Sequence, residues 1–395
     1  MLLPRPNAAL YGIVAAVFIS GTGVGSLLPI LPLFLRERGA SYSLLGVVVG
    51  AGLLAQAVGQ WPAGWLSERV GRKQMMVGGL LLSAISSLLF VVPMSVEWLV
   101  ALRFVQGLGF AAAAPAELAA VADAVPAAEL GVAYGWVSGA RQAGWIAGPA
   151  IGGVLAVFGR WTVFAVTGSA LLAAALVVGI AVPRSTQPIN TGAGIARVLL
   201  QANRAGTALR AVVVLSVGVG LLIGIYDVVW SLFMRTLGAS DFTIGLSFTL
   251  FALPLVVATP FAGWASDRWD RRWLTFASVM FTSLLAPVYP FLRSIPIVFG
   301  VGLAEGAMWA FTEPAMNAFL MDAVPERRGE AQGVVGTATS AAMAVGSFVG
   351  GGLFAFGVAV PFWTAGVAGA VFALAAFPGL RAAGRHAVTP RSGRV

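Results

Sequence analysis

The chain has 395 residues, of which 59% are hydrophobic and only 10% charged, with a net charge of +9 and no cysteine. Soluble domains carry about a quarter charged residues, and a chain this short of polar surface is excluded from that class. The missing cysteines exclude disulfides, thiol chemistry and cysteine metal sites.

In chain order, twelve predominantly apolar runs stand out: 8–35, 43–67, 73–95, 97–119, 131–158, 161–182, 209–233, 243–266, 273–292, 295–320, 331–356 and 360–380. Each is close to the roughly 20 residues that a bilayer-spanning helix needs. The runs are continuously apolar rather than alternating, which predicts helices and not a β-barrel. The first follows Arg5 and carries Pro29 and Pro32; it is too long for a signal peptide and opens a series of spans, so it reads as helix 1. A polar stretch, 183–208, separates six runs from six, and "RAAGRHAVTPRSGRV" with the only histidine, His386, reads as a short basic tail over 381–395.

The charge is unevenly placed. With the N-terminus in the cytoplasm, the cytoplasmic segments hold Arg5, Arg69, Arg72, Lys73, Arg184, Arg197, Arg204, Arg210, Arg268, Arg271, Arg272, Arg327, Arg328 and the tail arginines. The opposite side holds only Arg36, Arg38, Arg160, Arg235 and Arg293. This positive-inside bias predicts that both termini are cytoplasmic. It makes the basic balance a matter of topology and anionic lipid, not of nucleic acid.

The chain also repeats itself. "GWLSERVGRK" (64–73) returns as "GWASDRWDRR" (263–272), "PLFLRERGAS" (32–41) as "SLFMRTLGAS" (231–240), and "DAVP" occurs at 123 and again at 322. "ELGVAYG" (129–135) matches "RGEAQG" (328–333) with one residue deleted. Matches in one register across half a chain predict two copies of a six-helix unit. The expected fold is therefore all-α and integral to the membrane, with 12 transmembrane helices as two pseudo-symmetric six-helix bundles. Its segments are an N-terminal half 1–182, a cytoplasmic linker 183–208, a C-terminal half 209–380 and the tail. Parallel halves about an axis normal to the membrane place a solute site between them near the midplane.

With these residues in view, the chain resembles the major facilitator superfamily of transporters over residues 8 to 380. The loop signature between helices 2 and 3 is matched by Gly64, Glu68 (usually Asp), Arg69, Gly71, Arg72 and Lys73. "LRFVQGLGF" (102–110) resembles the helix 4 signature through Arg103, Gln106 and Gly107. "GWIAGPAIGG" (144–153) resembles the helix 5 signature of drug–proton antiporters through Gly144, Gly148, Pro149, Gly152 and Gly153. The second loop departs from pattern, because Asp270 stands where the family prefers Gly, and that puts a tight turn there in doubt. Helix 1 also lacks the acid that many such exporters carry.

Physical roles follow for three groups. Glu68 ends helix 2 and opposes the helix dipole, so it needs a cation such as Arg69 or Arg72. Asp123 is a second carboxylate that the resemblance places in the same network. With Asp267, Arg268 and Arg271 in the second copy, these residues are expected to form a conformational latch on each half; their other reading is topology alone. Gly144, Gly148 and Gly152, with Pro149, give a small face for close helix packing. Gly346 and Gly350 repeat it, with Ser347 in the place of the proline.

Ionisable residues inside the spans form the third group: Arg103, Glu117, Arg141, Asp227, Glu305 and Glu313. At about 2.5–3.5 kcal/mol each they are too costly to face lipid, and intramembrane charge is a functional site by default. Arg103 and Glu117 are expected on one helix face about 21 Å apart. Glu305, Trp309 and Glu313 form an i, i+4, i+8 ladder, and Asp227 lies between Tyr226 and Trp230. Glu313 has a second reading, in which it satisfies backbone groups freed by Pro314. Glu117 fits a latch with Asp123 as well as a pore, and Arg141 a counter-ion for a buried acid. Of the many Trp, Phe and Met residues in the spans, such as Trp136, Trp145, Phe251 and Met308, a subset is expected to line an amphipathic cavity.

The resulting expectation is a proton-coupled exporter of lipophilic small molecules, a monomer in a prokaryotic inner membrane. The runner-up is an uptake symporter for a small organic solute. Its partners are solute, protons and lipid; no nucleic acid, metal or cofactor is expected, and the proton gradient supplies energy. No Walker loop and no nucleophile constellation point to an enzyme.

Overall fold

A computed structural model describes residues 7–184, 206–323 and 328–387. The linker between 185 and 205 and the tail from 388 lie outside the described residues. The chain is all-α. The helices are α1 (Ala8–Glu37), α2 (Tyr42–Val70), α3 (Arg72–Leu89), α4 (Val96–Ala124), α5 (Leu130–Leu155) and α6 (Trp161–Ala181). They continue with α7 (Thr207–Thr236), α8 (Asp241–Arg268), α9 (Arg271–Leu285), α10 (Ile295–Ala323), α11 (Arg328–Phe354) and α12 (Ala359–Ala387).

Among the described residues ten helical segments are long and apolar enough to cross a membrane, α9 counting together with the 3-10 stretch that carries it to Phe291. The other two, α3 and α5, fall short for readable reasons. α3 opens on the polar Arg72-Lys73-Gln74, whereas α5 carries Arg141, Gln142 and a run of glycines. Two apolar runs are also longer than their helices. The run to 95 stops as α-helix at Leu89, before Pro93, and the run to 292 passes at Ala286 into a 3-10 stretch containing Pro287 and Pro290. Proline removes the amide that the next α-helical bond would use.

The described residues fall into two compact units. The first holds those up to 184 together with Trp230–Thr249; the second holds those from 206 to Val229 and from Leu250 onward. In the first, α1 packs on α5 and α6, and α4 on α2 and α3. Its core joins Leu10, Ile13 and Val17 of α1 to Met76 and Leu80 of α3, Val121 of α4 and Leu171 of α6. In the second, α9 packs on α10 and α12, around Val212, Leu215, Val279, Leu320 and Leu380.

The internal repeat reappears as geometry. α1 ends with Ala40 N–H donating to Leu35 C=O (3.0 Å), and α7 with Ala239 N–H donating to Met234 C=O (3.1 Å). Gly39 (φ +82°) and Gly238 (φ +80°) supply the left-handed residue that this helix stop requires. Two stretches 199 positions apart thus end their helices with the same hydrogen-bonded turn.

Candidate functional site

The charged residues singled out in the sequence are gathered into several small networks, each within one unit. At one end of the first unit, Arg72 of α3 pairs with Asp123 of α4 and donates to the Ala119 carbonyl (3.3 Å). The repeat-related Arg271 pairs with Asp322 and donates to the Ser266 carbonyl (2.8 Å). Arg69 and Arg268 lie instead over the rings of Trp65 (3.8 Å) and Trp264 (4.5 Å), as cation–π pairs. The side chains of Glu68 and Asp267 lie outside the described part of the structure. A side chain at Gly64 would meet open space, so packing does not demand glycine there.

Arg103 and Glu117 share α4 but take separate partners. The Arg103 guanidinium donates to the Gln106 side-chain oxygen, and the Gln106 amide donates to Ser87 Oγ (2.6 Å). Ser83, Ser87 and Gln106 are all buried, and Gly52 leaves the space that the Arg103 side chain fills. Glu117 is buried and paired with Arg141 of α5. Arg141 is thereby the counter-ion of a buried acid, and Glu117 meets it rather than Asp123.

In the second unit, Glu305 of α10 is 1% exposed. Its Oε2 accepts a hydrogen bond from the Tyr289 hydroxyl, and Oε1 has no partner among the described residues. Tyr289 is wholly buried, and its ring stands edge-on to Tyr226 (6.3 Å between centroids) and tilted against Phe362 (5.9 Å). Asp227 is half-buried on α7 beside Tyr226. The next turn of α7 belongs to the first unit, where Trp230 is buried and donates to Ser247 Oγ (2.9 Å).

The expected ladder on α10 divides: Glu305 is buried, Trp309 half-buried against the core and Glu313 exposed. Each four-residue step turns the helix about 40°, so eight residues carry the side chain about 80° round the axis.

The glycine seam is built as its spacing requires. A Cβ on Gly144 would lie 2.7 Å from the Phe18 carbonyl oxygen, and one on Gly148 2.6 Å from that of Thr22. Gly152 faces the backbone of Ser26 in the same way, so α5 lies backbone to backbone on α1. In the second unit Gly346 and Gly350 sit against Leu221 and Ile225, and Ser347 Oγ donates to the Gly224 carbonyl (3.0 Å). Beside the first seam, α1 and α5 border an open groove of about 740 Å³ lined by Tyr11, Val14, Phe18, Val132, Trp136 and Ala140. Its wall is aromatic and aliphatic.

Two features escaped the sequence reading. Tyr289 left one signal, a polar-tipped aromatic deep in an apolar run of a chain with only 5 tyrosines. Arg160 bonds Asp241 through two nitrogens (2.9 and 3.1 Å) and pairs with Glu37 (3.0 Å), and Asp241 also takes Arg235. These residues flank predicted helix ends and read singly as loop charges.

Comparison with known proteins agrees with this architecture. The chain is 27% identical over 363 residues to multidrug resistance protein 2 of Bacillus subtilis (strain 168), covering 89% of this chain and 90% of that one. It is 27% identical over 377 residues to multidrug resistance protein 1 of the same strain, covering 92% and 94%. The fold matches that of a bacterial homologue of the human lysosomal transporter Spinster, solved in an inward-facing and unoccupied conformation. That match has a TM-score of 0.79 at 15% identity and covers 100% of both chains. The profile of the Major Facilitator Superfamily matches residues 13–217 and 212–394, nearly the whole chain, and this multi-pass membrane protein belongs to that superfamily of transporters.

Proposed function

We propose that this chain is a proton-coupled exporter of lipophilic small molecules, working by alternating access in a bacterial cell membrane. Two six-helix halves, 1–182 and 209–380, move against each other, with both termini in the cytoplasm and all 12 helices crossing the bilayer. The protein acts as a monomer and uses no cofactor beyond the proton gradient. The names of its relatives support export of drugs, and the aromatic groove between α1 and α5 supports an apolar solute.

The observation that carries proton coupling is Glu305. It is a buried carboxylate whose hydrogen-bond partner is a neutral tyrosine hydroxyl, with no cation paired to it among the described residues. An isolated charge there is costly, so a proton is the counter-charge that the site calls for. Tyr289 holds the carboxyl in place through either state. Asp227, half-buried on α7, is the second candidate acid. Proton and solute competing for one acidic site would supply the differential affinity without which there is no coupling.

The test uses proteoliposomes with an imposed pH gradient and a panel of lipophilic cations and uncharged drugs. Solute-dependent proton flux in the opposite direction is expected in the parent and in Asp227→Asn. Near-complete loss is expected in Glu305→Gln, which keeps an acceptor for the Tyr289 hydroxyl and so preserves the packing. Loss in Asp227→Asn alone would move the coupling to α7, and flux in the same direction as solute would assign the protein to uptake.

A further inference from the structure

Within the first unit, α8 runs along α5 on a seam distinct from the one that α5 shares with α1. A Cβ on Gly153 would lie 2.8 Å from the Asp241 carbonyl oxygen and 2.9 Å from the Phe242 Cα. One turn further on, Gly245 sits against the Pro149 carbonyl, and a Cβ there would lie 3.1 Å from the Gly153 Cα. A further turn on comes Thr249. Its hydroxyl donates to the Ile146 carbonyl (2.7 Å) and accepts from the Ala150 N–H (3.2 Å).

Ile146 C=O and Ala150 N–H are the two ends of one i→i−4 rung of α5. A side chain from another helix therefore engages both ends of a single rung. It does so beside Pro149, which has no N–H to give to the Trp145 carbonyl, where α5 is already short of one bond. A group inserted into the ladder next to proline is a recognised cause of a helix bend.

We propose that Thr249 is a positioning residue of the transport cycle, its hydroxyl clipping α8 into the hydrogen-bond ladder of α5 at Pro149. While the clip holds, the close backbone approach at Gly153 and Gly245 is held with it, and the Arg160–Asp241 pair closes the end of the seam. When the helices part, Ile146 and Ala150 have each other as partners, so release leaves neither group unsatisfied. That makes the clip reversible, unlike a buried polar pair that strands its members. Its consequence for transport rests on the alternating-access reading; the clip itself does not.

The test exploits the absence of native cysteine. Spin labels are placed at Val157→Cys and Phe242→Cys, both exposed, in the turn just after α5 and at the start of α8. Their dipolar coupling is measured in nanodiscs with no solute or pH gradient, so the readout does not depend on the proposed function. Thr249→Val and Thr249→Ala should each shift the equilibrium toward the uncoupled population by about ten-fold, the scale of one to two net hydrogen bonds. Thr249→Ser should restore parental coupling, and transport turnover should follow the same order.

Parental coupling in both hydroxyl-free variants would overturn the proposal. So would loss in Thr249→Ala with retention in Thr249→Val, which would assign the effect to packing volume. Altered spin coupling with unaltered solute flux would sustain the clip and count against alternating access at this seam.

Discussion

Residues 64–73 and 263–272 are copies of one loop, yet they turn the chain by different means. In the first, Gly71 at φ +104° both ends α2 and starts α3, a conformation that disfavours side chains. In the second, Asp270 is at φ −64° in ordinary extended geometry. Its carboxylate caps α9 by accepting from the Arg272 N–H (3.0 Å), and Trp269 N–H closes the end of α8 on Ala265 C=O (2.8 Å). The departure from the family pattern therefore marks another construction, in which a capping side chain replaces a left-handed glycine. The ion pairs differ too. Arg72 is 5% exposed and its partner Asp123 30%, whereas Arg271 is 26% exposed and Asp322 64%. The duplicated ion pair is largely buried in one copy and wet in the other, so similar sequence does not mean equal energy.

The largest effect should come from breaking the buried copy. Arg72→Ala leaves Asp123 and the Ala119 carbonyl without their cation, at a cost of about 2–3 kcal/mol for a half-buried pair. Arg271→Ala should cost about 1 kcal/mol or less, because water replaces the lost partner. Thermal unfolding of the purified variants in one detergent would check this, and equal losses would erase the distinction.

Next comes the turn. Gly71→Ala forces a side chain into a left-handed position and should cost about 1–3 kcal/mol. Asp270→Gly loses a cap that glycine partly replaces and a partly exposed ion pair with Arg272, together about 1 kcal/mol or less. A Gly71→Ala variant as stable as the parent would show that the first loop can adopt the second loop's geometry.

The smallest effect is on pH. The side-chain hydrogen bond from Arg272 holds the Asp270 carboxyl below its usual range. A carboxyl depressed in the folded state contributes stability above its unfolded pKa, and that contribution is lost as pH falls through the folded one. The parent should therefore lose slightly more stability than Asp270→Asn on acidification below the ordinary carboxylate range. Parallel curves for the two would remove the carboxylate from the account.

The repeat, the helices and the kind of residue that matters were legible along the chain. Apolar length, glycine spacing and the 199-residue offset can be read from the chain itself, and they foretold where each helix starts to within about three residues and that α5 carries a close-packing face, though not that α1 would fill it. The ends of α3 and α9 were less legible, because an apolar run continues past the prolines that stop the α-helix.

What the sequence alone determined was which charges lie within apolar spans and are costly there: Arg103, Glu117, Arg141, Asp227, Glu305 and Glu313. Only the tertiary structure decided who meets whom. Glu117 found Arg141 across two helices, Glu305 found Tyr289, and Thr249 found a rung of α5. Partner choice depends on helix rotation and crossing, to which composition and spacing are blind. A 100° turn per residue leaves Glu305 buried and Glu313 exposed along what reads as one stripe.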